Sequence, residues 1–74
     1  MLSASVGRIV HYQSYGTPNG EYESVTRAAM VTEVKAGNVI SATVFNPTGL
    51  FFHTDLPYSE KPKPGHWNWP PRFR

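Results

Sequence analysis

The chain has no cysteine, so disulfide bridges and thiolate zinc sites are both excluded. It has no apolar run approaching the roughly 20 residues that a membrane-spanning helix needs. Its first residues, MLSASVGRIVHY, show neither the basic start nor the apolar stretch of a secretory signal. These lacks lead to the expectation of a cytoplasmic protein with no membrane partner. Charge is also sparse, at 16% of residues, with seven Lys and Arg against five Asp and Glu. Four of the seven basic residues, Lys61, Lys63, Arg72 and Arg74, fall at the C-terminal end. A basic end on a near-neutral body is a weak signal for nucleic acid, so a nucleic-acid partner is not expected.

Catalytic equipment is equally thin. No Ser sits in a G-x-S-x-G elbow. His11, His53 and His66 have no repeated spacing, and none begins a His-x-Thr/Ser pair. His53 and Asp55 are two apart and could share one face of a strand, but no third metal ligand accompanies them. Glu21 and Glu23 flank Tyr22 in a polar stretch, where a solvated surface accounts for both. The segment Tyr15–Gly20 has two glycines but neither the lysine nor the spacing of a phosphate-binding loop. The residues therefore predict a binding protein, not an enzyme, with no cofactor and no metal.

What is present is short β-type sequence cut by glycine and proline. Val6–Tyr12 is rich in β-branched and aromatic residues and predicts a first strand. Gln13–Ser24 predicts a long loop with a turn at Thr17-Pro18-Asn19-Gly20. Val25–Lys35 fits two periods: Val25, Ala28, Val31 and Val34 recur as on a helix, while Ala28, Met30, Thr32 and Val34 alternate as on a strand. Its β-branched content and the short Ala36-Gly37-Asn38 link favour a strand. Val39–Phe45 predicts another strand with Ile40, Ala42 and Val44 on one face, then a turn at Asn46–Gly49 and a return over Leu50–Thr54. Residues 55–65 hold three prolines and read as an extended linker, and His66–Pro70 as a short edge strand. Residues 1–5 and 71–74 are expected to fray. The fold expected is one all-β domain, a small SH3-like barrel or a strongly bent five-stranded antiparallel sheet.

Aromatic residues are 14% of the chain, more than so small a core can bury. Phe51 and Phe52 are adjacent, so one faces in and one out. Trp67 and Trp69 are two apart and share a face. A chain of 74 residues without disulfides or metal commonly gains stability by association, so a homo-oligomer is expected, with Trp67, Trp69 or Phe52 at the contact. Exposed aromatics can also stack on a ligand. The candidate site combines Tyr15, Gly16, Thr17 and Tyr22 of the long loop with Asn46 and Thr48 of the turn. Arg27 would meet an anionic group, and Phe52, Trp67 and Trp69 would supply ring faces.

The pieces SYGTPNGEY (Ser14–Tyr22), NPTG (Asn46–Gly49) and WNWP (Trp67–Pro70) resemble a family of small phage- and prophage-encoded proteins. The resemblance spans residues 6–70, and the chain departs from it at Pro71-Arg72-Phe73-Arg74. It carries over no catalytic residue. It implies a protein acting in the cytoplasm of an infected bacterium by binding. The expected partner is a nucleotide-like small molecule, a host immune signal that the protein sequesters. The other expectation is an SH3-like interaction module that docks a host or phage protein.

Overall fold

The computed structural model describes residues 3–71. The tail residues Arg72, Phe73 and Arg74, and Met1 and Leu2 of the expected frayed start, lie outside the described residues. Five strands form one antiparallel sheet: β1 (Ile9–Gln13), β2 (Thr26–Val34), β3 (Ile40–Asn46), β4 (Gly49–Leu56) and β5 (Trp67–Asn68). Their spatial order is β4-β3-β2-β1-β5, a four-strand meander to which the fifth strand returns beside the first. The all-β expectation therefore holds, and the ambiguous segment 25–35 is strand over Thr26–Val34.

The buried side of β2 is Ala29 and Val31, while Ala28, Met30 and Thr32 face outward. A helix would have scattered Ala29 and Val31 around its circumference. On a strand they stand beside Val10 of β1 and beside Val44 and Ala42 of β3. Neighbours in register share a face, so one continuous apolar row crosses the sheet.

Two register shifts, at Val31/Glu33 and at Ile40/Ala42, interrupt the ladders on either side of β3. Bulges of this kind sharpen the local twist. Their effect is visible in Tyr12 of β1 and His53 of β4, which are three strands apart in order yet stack with ring centroids 4.9 Å from each other. A flat sheet would hold those strands about 14 Å apart. The sheet is thus strongly bent, as a small barrel is, but it is not closed.

The concave side holds the core: Val10, Tyr12, Ala29, Val31, Ile40, Ala42, Val44, Leu56 and Trp67, with Ala4 packed against them. Trp67 is its centre, with 0% of its surface exposed. The indole Nε1–H of Trp67 donates to the Asn38 carbonyl at 2.8 Å, which ties the β2–β3 hairpin tip to β5. That tip needs left-handed backbone at two consecutive positions, Gly37 (φ 72°) and Asn38 (φ 62°), the residue types that adopt it most readily. Ala4 is packed against this core, while Ser5, Val6, Gly7, Arg8 and Ile9 are exposed.

The proline-rich stretch after β4 is fastened at several points. Leu56 is buried, the Trp67 amide donates to the Pro57 carbonyl, and the Ser59 amide donates to the Trp67 carbonyl. Tyr58 forms a parallel bridge with Trp67, and the Gly65 amide donates to the Gln13 carbonyl. The segment forms a strap over the open side of the sheet.

Two titrations give the fold an alkaline limit. Burial, and then the charge of Tyr15, raise the Tyr12 phenol above its ordinary value of 10.0. A hydrogen bond from the exposed Lys35 ammonium to Asp55 raises Lys35 above 10.5. Each folded value lies above the unfolded one, so each contribution is complete below the unfolded value and disappears as pH rises through the folded one. The melting temperature is expected to fall above about pH 10. Tyr12→Phe should flatten part of that fall and abolish a phenolate absorbance step with a midpoint above 10.0. A Tyr12 step at or below that value would contradict the burial.

Candidate functional site

The long loop between β1 and β2 is self-tied. Ser14 and Val25 close its base, with the Ser14 amide donating to the Val25 carbonyl at 2.9 Å and the Val25 amide donating to Ser14 Oγ at 3.0 Å. Thr17 closes its tip: its amide donates to the Tyr22 carbonyl at 2.9 Å, and its Oγ1 accepts from the Tyr22 amide at 2.8 Å. The expected turn is present, with the Gly20 amide donating to the Thr17 carbonyl at 3.0 Å. Gly16 permits the two sides to approach, since a Cβ there would lie 3.0 Å from the Tyr22 carbonyl oxygen and 3.1 Å from the Ser24 amide. Both obstacles are backbone. Gly16→Ala is therefore expected to destabilise the chain by about 1 kcal/mol and to raise loop amide exchange. Unchanged exchange in the loop would show that it yields freely.

β1 ends, β2 begins and the β3–β4 turn closes at the same end of the sheet, because Gln13 pairs with Thr26 and Ala28 with Phe45. The long loop and the Asn46–Gly49 turn therefore rise from one rim, as the sequence led us to expect. Just inside this rim, on the concave side, lies a cleft of about 160 Å³ lined by Tyr12, Ser14, Val44, Asn46, Phe51 and His53. Its floor is the Tyr12–His53 stack, with an interplanar angle of 25°, and half-exposed Phe51 stands at its mouth. Arg27 does not line it. Arg27 pairs with Tyr12 across the β1–β2 ladder and so stands on the same face, one strand away.

The candidate residues thus separate. Asn46 lines the cleft, and Arg27 flanks it. Tyr15, Gly16, Thr17, Tyr22 and Thr48 belong to the surrounding rim, with the Thr17 amide and hydroxyl already used inside the loop. Tyr15 leans its phenol over Gly65, where an added Cβ would collide with the hydroxyl oxygen and the ring edge. Trp67 is corrected: a fully buried indole can neither stack on a ligand nor meet a second subunit. Phe52 is corrected as a lining residue too. Its strand neighbour Phe51 takes the concave side, and Phe52 points out of the opposite face with 79% of its surface exposed.

Sequence reasoning missed Tyr12, Ser14, Phe51 and His53. The signal was the alternation of β4: Phe51 and His53 are two apart and must share a face. The pairing considered from sequence was His53 with Asp55. Asp55 instead adopts φ 59° and binds Lys35, with Nζ 2.5 Å from Oδ1.

A second, wider cleft of about 570 Å³ lies beside β5, lined by His11, Thr26, Glu60, Pro62, Asn68, Trp69 and Pro71. Trp69 packs edge-on against Trp67, with centroids 5.4 Å apart, and the Arg8 guanidinium sits 5.1 Å from its ring centre. Trp69 therefore belongs to this cleft and not to the one beneath the long loop. Among the described residues, no group of His, Asp and Glu is arranged to hold a metal ion, and no helix is long and apolar enough to cross a membrane.

Fold and clefts together define, among the described residues, a strongly bent β-sheet that carries open, largely apolar recesses beneath the long loop and beside β5. Comparison with family models, curated proteins and solved structures finds no match to this chain.

Proposed function

We propose that the chain is a non-enzymatic binding protein that sequesters a small, planar, anionic ligand of nucleotide type. The observation that carries this reading is the cleft under the long loop. There an aromatic stack, a half-exposed Phe51 and the Asn46 side chain meet on the same face as Arg27. A recess of about 160 Å³ takes one ring system, well short of the roughly 300 Å³ or more of a pocket enclosing a whole drug-sized ligand. The ring would enter, and the sugar and phosphate would lie across the rim towards Arg27. The wider setting, a phage-encoded protein in the infected cytoplasm that removes a host immune signal, rests on the SYGTPNGEY, NPTG and WNWP resemblance.

Isothermal titration calorimetry against cyclic nucleotides and ADP-ribose derivatives tests the reading. Saturable heat at one ligand per chain supports it. No heat from any member of the panel removes it.

A second reading is favoured by the cleft beside β5. Its size, and the combination of Trp69 with Pro62, Pro71 and His11, suit an extended peptide, which would make the chain a docking module for a host or phage protein. Trp69→Ala should then abolish capture of the partner while leaving nucleotide heats intact.

A further inference from the structure

The two edges of the sheet are protected very differently. β5 is two residues long and is followed by Pro70 and Pro71, which have no N–H to offer a neighbouring strand. β4 is eight residues long and is the other outer strand. Among the described residues, no loop or turn makes a backbone hydrogen bond to Gly49–Thr54. An outer strand leaves alternate N–H and C=O groups directed away from the sheet. Over Gly49–His53 there is no lysine, no proline and no inward-pointing charge, and the bulge at Thr54 and Asp55 ends this regular stretch of the edge. Leu50, Phe51 and Phe52 are instead three consecutive exposed apolar residues.

We infer that β4 is a pairing edge and that its occupant is β4 of a second copy of this chain, antiparallel about a two-fold axis. The strand is self-complementary when Phe51 meets Phe51 of the second copy. Leu50 then stands opposite Phe52 of the second copy on the convex side, and Phe52 opposite its Leu50. Asp55, the one charge on β4, falls beside Pro47 of the second copy, so no like charges oppose each other. A partner of different sequence would have to supply this apolar order, whereas a second copy supplies it by symmetry. The exposed parts of Leu50, Phe51 and Phe52 come to about 400 Å² per copy, and the paired β4 backbones add to this, against the roughly 800 Å² of a standard stable interface.

Pairing at the edge makes a continuous sheet and leaves the convex surface of β1 open. Ile9 of β1 is also exposed and apolar, and it lies three strands from the edge. Face-to-face packing of two convex surfaces would cover Ile9, and edge pairing would not. Sedimentation velocity across a concentration series separates these arrangements. Wild type should sediment as twice the 8.3 kDa protomer at high micromolar concentration. Phe52→Lys, at a side chain outside the core, should weaken association about a hundredfold, because the apolar contact with Leu50 of the second copy is lost and a charge is brought to the pairing edge. The melting temperature read at a concentration where both proteins are monomeric should change little. Ile9→Lys should leave the dimer intact. Amides of β4 should gain hydrogen-exchange protection as concentration rises. A wild-type monomer at high micromolar concentration overturns the inference. So does a dimer that survives Phe52→Lys, and so does one broken by Ile9→Lys with β4 amides unprotected.

Discussion

Trp67→Ala is expected to unfold the protein at room temperature. Truncating a buried tryptophan costs about 3–5 kcal/mol, because the lost contacts are followed by a cavity that the surroundings only partly fill. A core in a chain this small rarely supplies more than about 3–5 kcal/mol in total, so the loss is comparable with the whole stability. The indole touches Tyr58 and Trp69 edge-on, and its N–H holds the tip of the β2–β3 hairpin through Asn38. Its loss would release β5, the strap and the hairpin tip together. Trp67→Phe separates packing from hydrogen bonding. It keeps a ring in place, gives up one hydrogen bond worth about 1 kcal/mol, and should fold with a lowered urea midpoint. Urea unfolding followed by far-ultraviolet circular dichroism reads both variants. A Trp67→Ala midpoint equal to wild type would mean that the core is organised around something else.

Arg27→Ala and Phe51→Ala are each expected to weaken nucleotide binding at least tenfold. A charge-assisted hydrogen bond to phosphate is worth about 1.5–3 kcal/mol, and a stacked base about 1–3 kcal/mol on truncation of its aromatic partner. Every 1.4 kcal/mol is a factor of about ten. Neither side chain is in the core, so melting temperatures should stay within about 1 kcal/mol of wild-type stability. Ile9→Ala on the convex face serves as the control and should bind as wild type does. Affinity that survives both Arg27→Ala and Phe51→Ala would place the ligand away from the cleft beneath the long loop. Tyr15→Ala probes the rim alone, where a smaller loss is expected because its phenol rests on Gly65.

The sheet was legible because its signals are local. Glycine and proline mark the turns at Thr17–Gly20, Gly37-Asn38 and Asn46–Gly49, and each is a turn in the structure. The alternation of Ile40, Ala42 and Val44 gave the buried face of β3. For β2 the alternation gave the strand but left its buried face open. Ala28 and Met30 are as apolar as Ala29 and Val31, and only the register with Val10 and Val44 decides which pair is buried. The rim of the candidate site was legible for the same reason as the turns. Its floor was not, because Tyr12 and His53 lie 41 positions apart and meet only through the bend of the sheet.

The sequence by itself determined a cysteine-free, all-β chain with a long early loop and more aromatic surface than its core can absorb. Those properties follow from composition and nearest-neighbour chemistry, which act before any distant contact forms. Only the tertiary structure decided which aromatics are buried. Phe51 and Phe52 are chemically identical, and so are Trp67 and Trp69, yet within each pair the two side chains have different fates. Alternation sends Phe51 towards the cleft and Phe52 out to solvent. Pairing with Tyr12 turns Trp67 into the core on the concave side, while Trp69, one step past the end of β5, is only partly buried at its margin. The physical reason is that burial belongs to a position in space, fixed by register and bend, and no residue carries it in its own chemistry.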